Sequence, residues 1–170
     1  ADGYPLSSGA KFSAYSGFFG DAETQDVDFM ISGPLSGYAS GAAVNTLPEA
    51  TTQANNLIQI CEARKDCMAI ISPRKADCVN NSGLEASSIE TFANTLTSSS
   101  YGVLDSAWCY QYDKYTDNYC YVPACSHTAG VMARTDADRD AWFSPAGFNR
   151  GQILGITKLS FNPNQAERDL

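Results

Sequence analysis

The sequence predicts an α/β fold, a mixed and mainly parallel sheet with a βαβ crossover and helices packed on it. Three observations carry that reading. A short apolar run at Val27–Ser32 and another at Cys67–Ile71 bracket a long amphipathic segment. A second amphipathic segment follows the second run. No internal repeat, low-complexity tract or linker divides the 170 residues, so they read as one domain, 1–170.

The elements follow in chain order. Val27-Asp28-Phe29-Met30-Ile31-Ser32 reads as a strand broken by Gly33-Pro34, and 37–41 as a small-residue loop. Thr46 and Glu49 form a T-x-x-E capping box with Pro48 in the first turn. Ala50, Ala54, Leu57, Ile58 and Cys61 then share one helical face, and Lys65-Asp66 closes the helix. Cys67-Met68-Ala69-Ile70-Ile71 is a continuous apolar run, the pattern of a strand buried on both faces. Strand, helix and strand make a crossover unit, which is nearly always right-handed and parallel.

Pro73–Gly83 reads as a polar loop, and Ser87 with Glu90 as a second capping box. Ile89, Phe92, Ala93 and Leu96 form the apolar face of its helix. Ala107–Tyr115 reads as extended, with Trp108, Tyr110 and Tyr112 on one face and Cys109 and Gln111 on the other. A turn at Thr116-Asp117-Asn118 pairs it with Tyr119-Cys120-Tyr121-Val122. Ala129, Val131, Met132 and Ala133 suggest a tightly packed helix ending near Asp136, and Gly155–Phe161 a last strand.

Composition excludes several functions. The net charge is −8 and the 11 basic residues are scattered, which argues against a nucleic-acid footprint. No apolar run approaches the ~18 residues of a membrane span, and the start carries no signal-peptide pattern. Six cysteines allow three disulfides, but Cys61, Cys67 and Cys78 sit in or beside apolar segments and read as reduced, packed thiols.

Candidate chemistry is thin. Asp136, Asp138 and Asp140 begin a D-x-D-x-D calcium pattern, but Ala141 and Gly147 stand where Gly and a bidentate Glu are needed. Cys109, Cys120, Cys125 and His127 lack the close pairs of a zinc knuckle. Asp28, His127 and Ser144 occur in the order of one class of serine hydrolases, without a G-x-S-x-G elbow. Neither G-x-G-x-x-G nor a P-loop is present. The expectation is no cofactor and no metal. The aromatic set Trp108, Tyr110, Tyr112, Tyr115, Tyr119 and Tyr121 reads as core packing plus an interface belt.

Tyr110-Gln111-Tyr112-Asp113-Lys114-Tyr115, Ala133-Arg134-Thr135-Asp136, and Ser144-Pro145-Ala146-Gly147-Phe148-Asn149-Arg150-Gly151-Gln152 stand in this order. Their wording and spacing resemble the tail sheath proteins of contractile-tailed bacteriophages, the T-even type especially. The likeness runs from about Asp26 to Leu170, and 1–25 match only loosely. It implies a fragment of a longer structural virion protein, from a central domain described as subtilisin-like. It implies no enzymatic activity and no nucleotide. Its partners would be other sheath subunits in hexameric rings, the tail tube protein, and the baseplate and tail terminator proteins. Its place would be the phage tail, after assembly in the host cytoplasm. Contraction would drive the tube through the host envelope.

Within that reading, Arg134, Asp136, Arg150, Lys158 and Arg168 are the candidate intersubunit or loop-fixing contacts. Arg150, flanked by Gly147 and Gly151, is expected to pair with Asp136, Asp138, Asp140 or a neighbouring subunit. Two alternatives belong to other classes: an α/β hydrolase using Ser144 and His127, and a secreted, disulfide-linked binding module.

Overall fold

The computed structural model describes residues 8–35, 37–39, 42–44 and 46–169. It opens with a helix that was not expected, α1 (Ser8–Phe19), whose Phe12 and Phe19 pack against the core. Its Lys11 Nζ donates to Gln53 Oε1 at 3.1 Å. β1 (Phe29–Ile31) is the expected first strand, and Gly33 breaks it at φ 58°. The segment expected as a small-residue loop instead holds a short hairpin, β2 (Gly37–Ala39) with β3 (Ala42–Val44). The residues between those two strands lie outside the described ones.

The long helix is α2 (Leu47–Arg64). It buries Ala50, Ala54, Leu57, Ile58 and Cys61 as their spacing requires. Its N-terminus departs from the expectation. Thr46 is the extended N-cap residue, but its side chain makes no capping bond, so Pro48 in the first turn carries the start signal. The helix ends through Lys65, in the left-handed region at φ 65°, whose amide returns to Cys61 O at 2.8 Å.

β4 (Met68–Ile71) then runs parallel to β1, with Phe29 beside Met68 and Ile31 beside Ile70. The strand–helix–strand reading is therefore correct. Ala69 and Ile71 join the α2-side core with Met30, Leu35 and Phe92. Ile70 is equally buried but falls on the other face by strand alternation. That is the side of a later helix, α5 (Cys125–Asp138), which lies against β1 and β4.

The stretch expected as a polar loop contains one turn of helix, α3 (Lys75–Cys78), before α4 (Glu85–Ala93). Here the second capping box does not form. α4 starts two residues before Ser87, and the Ser87 hydroxyl donates to Leu84 O at 3.1 Å. Glu85 Oε1 instead accepts from the Asn81 amide at 2.9 Å, tying the preceding loop to the first turn. β5 (Gly102–Leu104) completes the parallel sheet in the order β1-β4-β5. A Cβ on Gly102 would stand 3.0 Å from Ile58 Cγ1, so glycine lets β5 approach α2.

After Asp105-Ser106-Ala107 a second, antiparallel sheet begins. β6 (Trp108–Asp113) pairs with β7 (Asn118–Pro123) around the expected turn, where Asp117 takes φ 52°. β8 (Ile156–Leu159), the expected last strand, pairs on the other side of β6 with an irregularity at Tyr110/Gln111. α6 (Gln165–Arg168) ends the described chain. Asn164 and Glu167 form a true capping box there, the only one found among the described helices. The class is α/β as expected, with a parallel three-stranded sheet beside an antiparallel one of equal size.

Candidate assembly surface

Residues 139–155 link α5 to β8 and contain no helix or strand, yet the segment is pinned. Arg134 sits half-buried on α5. Its guanidinium donates to Arg150 O at 2.6 Å and to Gln152 O at 2.8 Å. Arg150 points back across the loop, with Nε donating to Ser144 O at 3.1 Å and its guanidinium 5.4 Å from the Phe143 ring centre. The Gly151 amide closes a tight turn onto Gly147 O at 2.8 Å, and Gly147 needs its φ of 101° to do so. A single guanidinium nitrogen, Nη2, gives one hydrogen to each of the two carbonyls.

The expected ion pair between Arg150 and Asp136, Asp138 or Asp140 is not formed. Ion pairs that do form include Arg64–Asp66 and Arg74–Asp77. The reason lies in the length of α5, which continues two residues past the expected end at Asp136. That carries Asp136 and Asp138 into its final turns with exposed side chains, while Ser144 O and Phe143 engage Arg150. These aspartates sit at the negative end of the helix dipole, with no basic residue in the last turn.

What the pinned loop presents is apolar. Trp142 is 76% exposed, Phe148 93% and Leu154 75%. Phe143 and Pro145 turn inward, lining a groove with Met132 and Asp136 of α5 and with Asp28 and Met68 near the start of the parallel strands. Large side chains held outward on a fixed backbone are what interface anchors need.

The second exposed feature is the outer face of β6 and β7. Tyr110 stacks on Tyr119 at 5.2 Å between ring centres and meets Tyr121 at 4.7 Å, and Tyr112 meets Tyr119 at 5.4 Å. Lys158 of β8 lies 5.1 Å over Tyr110, and Lys75 of α3 5.9 Å over Tyr121. Tyr115, at the hairpin tip, and Tyr112 and Tyr119 are exposed. Trp108 divides this set. It is buried, and its Nε1 donates to Pro73 O at 2.9 Å. Arg168 is exposed on α6.

The groups considered for catalysis are not assembled. His127 faces Gln111 Oε1 at 3.1 Å through Nε2 and Ser126 Oγ at 3.5 Å through Nδ1. The Ser144 hydroxyl accepts from the Ala146 amide at 3.3 Å, and Asp28 is exposed. Among the described residues no cluster of His, Cys, Asp and Glu has a metal-binding arrangement. Cys109 and Cys125 are buried whereas Cys120 is exposed, so the candidate zinc set is split. All six cysteines are free thiols, five of them buried. Burial lifts the Cys61 and Cys78 thiols to about 12 and Cys109 to about 11. No described helix is long and apolar enough to cross a membrane.

Comparison with known proteins agrees with the sequence motifs. The family described as the phage tail sheath protein central domain matches residues 14–170, extending upstream of the expected start near Asp26. The tail sheath protein of Enterobacteria phage T4 is 38% identical over 163 residues, covering 89% of this chain and 24% of that protein. That of Vibrio phage KVP40 is 33% identical over 144 residues, 76% and 22%. That of Salmonella phage ViI is 35% identical over 113 residues, 66% and 18%. The chain thus spans about a quarter of the length of these relatives or less. With its family match running from residue 14 to residue 170, this chain belongs to the phage tail sheath family, as a central domain.

Proposed function

We propose that this chain is the central part of a contractile tail sheath subunit, with 1–170 folding as one unit. Sheath proteins are structural virion components, and family membership is the observation that carries the reading. In the proposal, subunits stack as hexameric rings around the tail tube protein, between baseplate and tail terminator. Assembly takes place in the host cytoplasm, and contraction drives the tube through the envelope. The chemistry required of such a domain is recognition rather than catalysis.

The pinned loop supports a specific role. Trp142, Phe148 and Leu154 are anchors for a neighbouring subunit, and Arg134 and Arg150 fix the backbone that carries them. Preorganised anchors lose little conformational entropy on docking, which favours a contact that must form repeatedly along a tail. Lys158, Asp136 and Arg168 are rim charges whose partners lie on other subunits. The test is Phe148→Ser in the full-length sheath protein, with sheath assembly followed by electron microscopy. The expected result is short or absent sheaths from a protein that melts normally. Sheaths of normal length that contract normally would remove the loop from the interface. The 170-residue chain alone is expected to be a monomer at micromolar concentration, measured by light scattering. A hexamer would place ring closure within this domain.

A further inference from the structure

The C-terminal end of α5 carries two surfaces of opposite charge on opposite sides. Met132, Ala133, Asp136 and Ala137 line the groove under the pinned loop, whose volume is about 650 Å³. Arg134, Thr135 and Asp138 line a separate cleft of about 410 Å³ together with Arg139, Asn149 and Arg150. The helical period requires this split. Positions 132, 133, 136 and 137 cluster about one direction from the axis, and 134, 135 and 138 about the reverse one.

The groove has an apolar base and an acidic rim. Met68, Met132 and Phe143 are half-buried in it, and Asp28, Asp136 and Asp140 stand exposed around them. Among the described residues that line it, Lys65 is the one cation, and Asp66 already pairs with Arg64. The cleft is the converse, with three arginines against Asp138. Arg134 is held by the two loop carbonyls. Arg139 is exposed, and Arg150 gives Nε to Ser144 O, which leaves its other guanidinium donors for a partner. Phe148, next in the chain to Asn149, projects beside the cleft at 93% exposure.

We propose that these two surfaces bind each other between copies of the chain: the groove of one copy receives Phe148 of the next, with Arg139 and Arg150 set against Asp28, Asp136 and Asp140. The inference rests on the sheath-subunit reading and names the seat of the anchor assigned there. Three arguments select a second copy as the occupant. Copies with a net charge of −8 repel one another, so an attractive contact must use a basic patch, and the cleft supplies one beside an exposed aromatic ring. The base of the groove offers two methionines, whose thioethers pack well against an aromatic edge. Knob and groove are also different patches of one molecule. Each docking therefore leaves a free groove at one end and a free knob at the other. A head-to-tail contact of this kind propagates as a helix unless its rotation closes a ring, whereas a self-complementary patch stops at a dimer.

The test places a photo-crosslinker in the knob. Full-length sheath protein carrying Phe148→p-benzoylphenylalanine is assembled from isotopically light and heavy copies, irradiated and digested for mass spectrometry. Benzophenone inserts into nearby C–H bonds and favours methionine. The expected product joins residue 148 of one copy to the peptide holding Met68 or Met132 of another. A product elsewhere on a sheath subunit overturns the seat but keeps the loop in the interface. A product with a different protein overturns the choice of occupant. Assembled sheaths with no product between chains overturn the Phe148 anchor as well. Charge exchange is the second measurement, and it stands if the bulky side chain blocks assembly. Arg139 and Asp140 are exposed, so Arg139→Asp and Asp140→Arg should both melt normally. Each alone should slow sheath growth on the order of tenfold. An equal mixture of the two should recover, because the altered groove then meets the altered cleft and the native groove the native cleft. Single variants as fast as the parent, or a mixture as slow as the single variants, overturn the proposal.

Discussion

Replacing Arg134 by Met should loosen one loop and leave the rest of the molecule alone. Met keeps the apolar stem and is nearly as good a helix former as Arg, so α5 should persist. What disappears is the Nη2 donor to Arg150 O at 2.6 Å and Gln152 O at 2.8 Å. Arg134 is only half-buried and water can take over the freed carbonyls, so each bond contributes about 0.5–1 kcal/mol. Two bonds make about 1–2 kcal/mol of local stability, a factor of roughly 5–30 in the open population of the loop. Limited chymotrypsin digestion reads that population when opening is fast relative to cleavage. Phe148 is the target, and Tyr115 at the hairpin tip is an internal reference that Arg134 does not touch. The ratio of cleavage after Phe148 to cleavage after Tyr115 should rise about 5–30-fold, with the melting temperature nearly unchanged. An unchanged ratio would refute the clamp. A rise at both sites together with a lower melting temperature would show that Arg134 supports the whole fold instead.

Three further predictions concern the core. Arg64 has no exposed side-chain surface and donates to Phe19 O at 2.6 Å, Gln25 O at 2.7 Å and both Asp66 oxygens at 2.8 Å, so Arg64→Met should cost about 3–5 kcal/mol in urea unfolding. A loss under about 1 kcal/mol would mean that the tie from α1 to α2 is dispensable. The hydrogen bond from Arg64 holds the exposed Asp66 carboxyl below its ordinary range; the pair's contribution is complete above that range and lost as pH falls through the lowered value, so Asp66→Asn should flatten the acid limb of stability, and an unaltered limb would assign it elsewhere. Cys67→Ser places a hydroxyl beside Cys61 in the α2-side core and should cost about 1–3 kcal/mol, with no measurable loss counting against a buried start to β4.

The legible parts of the fold were those whose signal is local and periodic. α2 could be read because five apolar residues recur on one face, and β4 because four consecutive residues have nowhere polar to go. The β6–β7 hairpin could be read from alternation and a turn. β5 could not: Gly102-Val103-Leu104 has no period, and its place is set by Ile58 on α2 and by pairing with β4. The two expected capping boxes failed because S/T-x-x-E states only that a bond is possible. Thr46 leaves its hydroxyl unused in capping, and Ser87 already lies inside α4. Asn164 and Glu167 do form a box, on a four-residue helix too short to show a period. At the surface, Arg134 and Arg150 could be singled out by motif and by flanking glycines. Their acceptors could not, because a backbone carbonyl leaves no mark in the sequence. The hydrogen bond from the buried Ser72 hydroxyl to Asp105 was missed for a similar reason, since nothing in the spacing of two residues 33 apart brings them together.

The distribution of the cysteines sets how the chain ages. At pH 7 a thiol raised to about 12 exists as thiolate on the order of once in 10⁵, which places Cys61 and Cys78 out of reach of peroxide and of exchange with other thiols. Cys120 alone stands on the surface, on the outer strand of the antiparallel sheet. A mild alkylating dye should therefore mark one position per chain without any cysteine being removed. In the assembly proposed above, a label at Cys120 would report by energy transfer how far neighbouring copies of this domain stand apart.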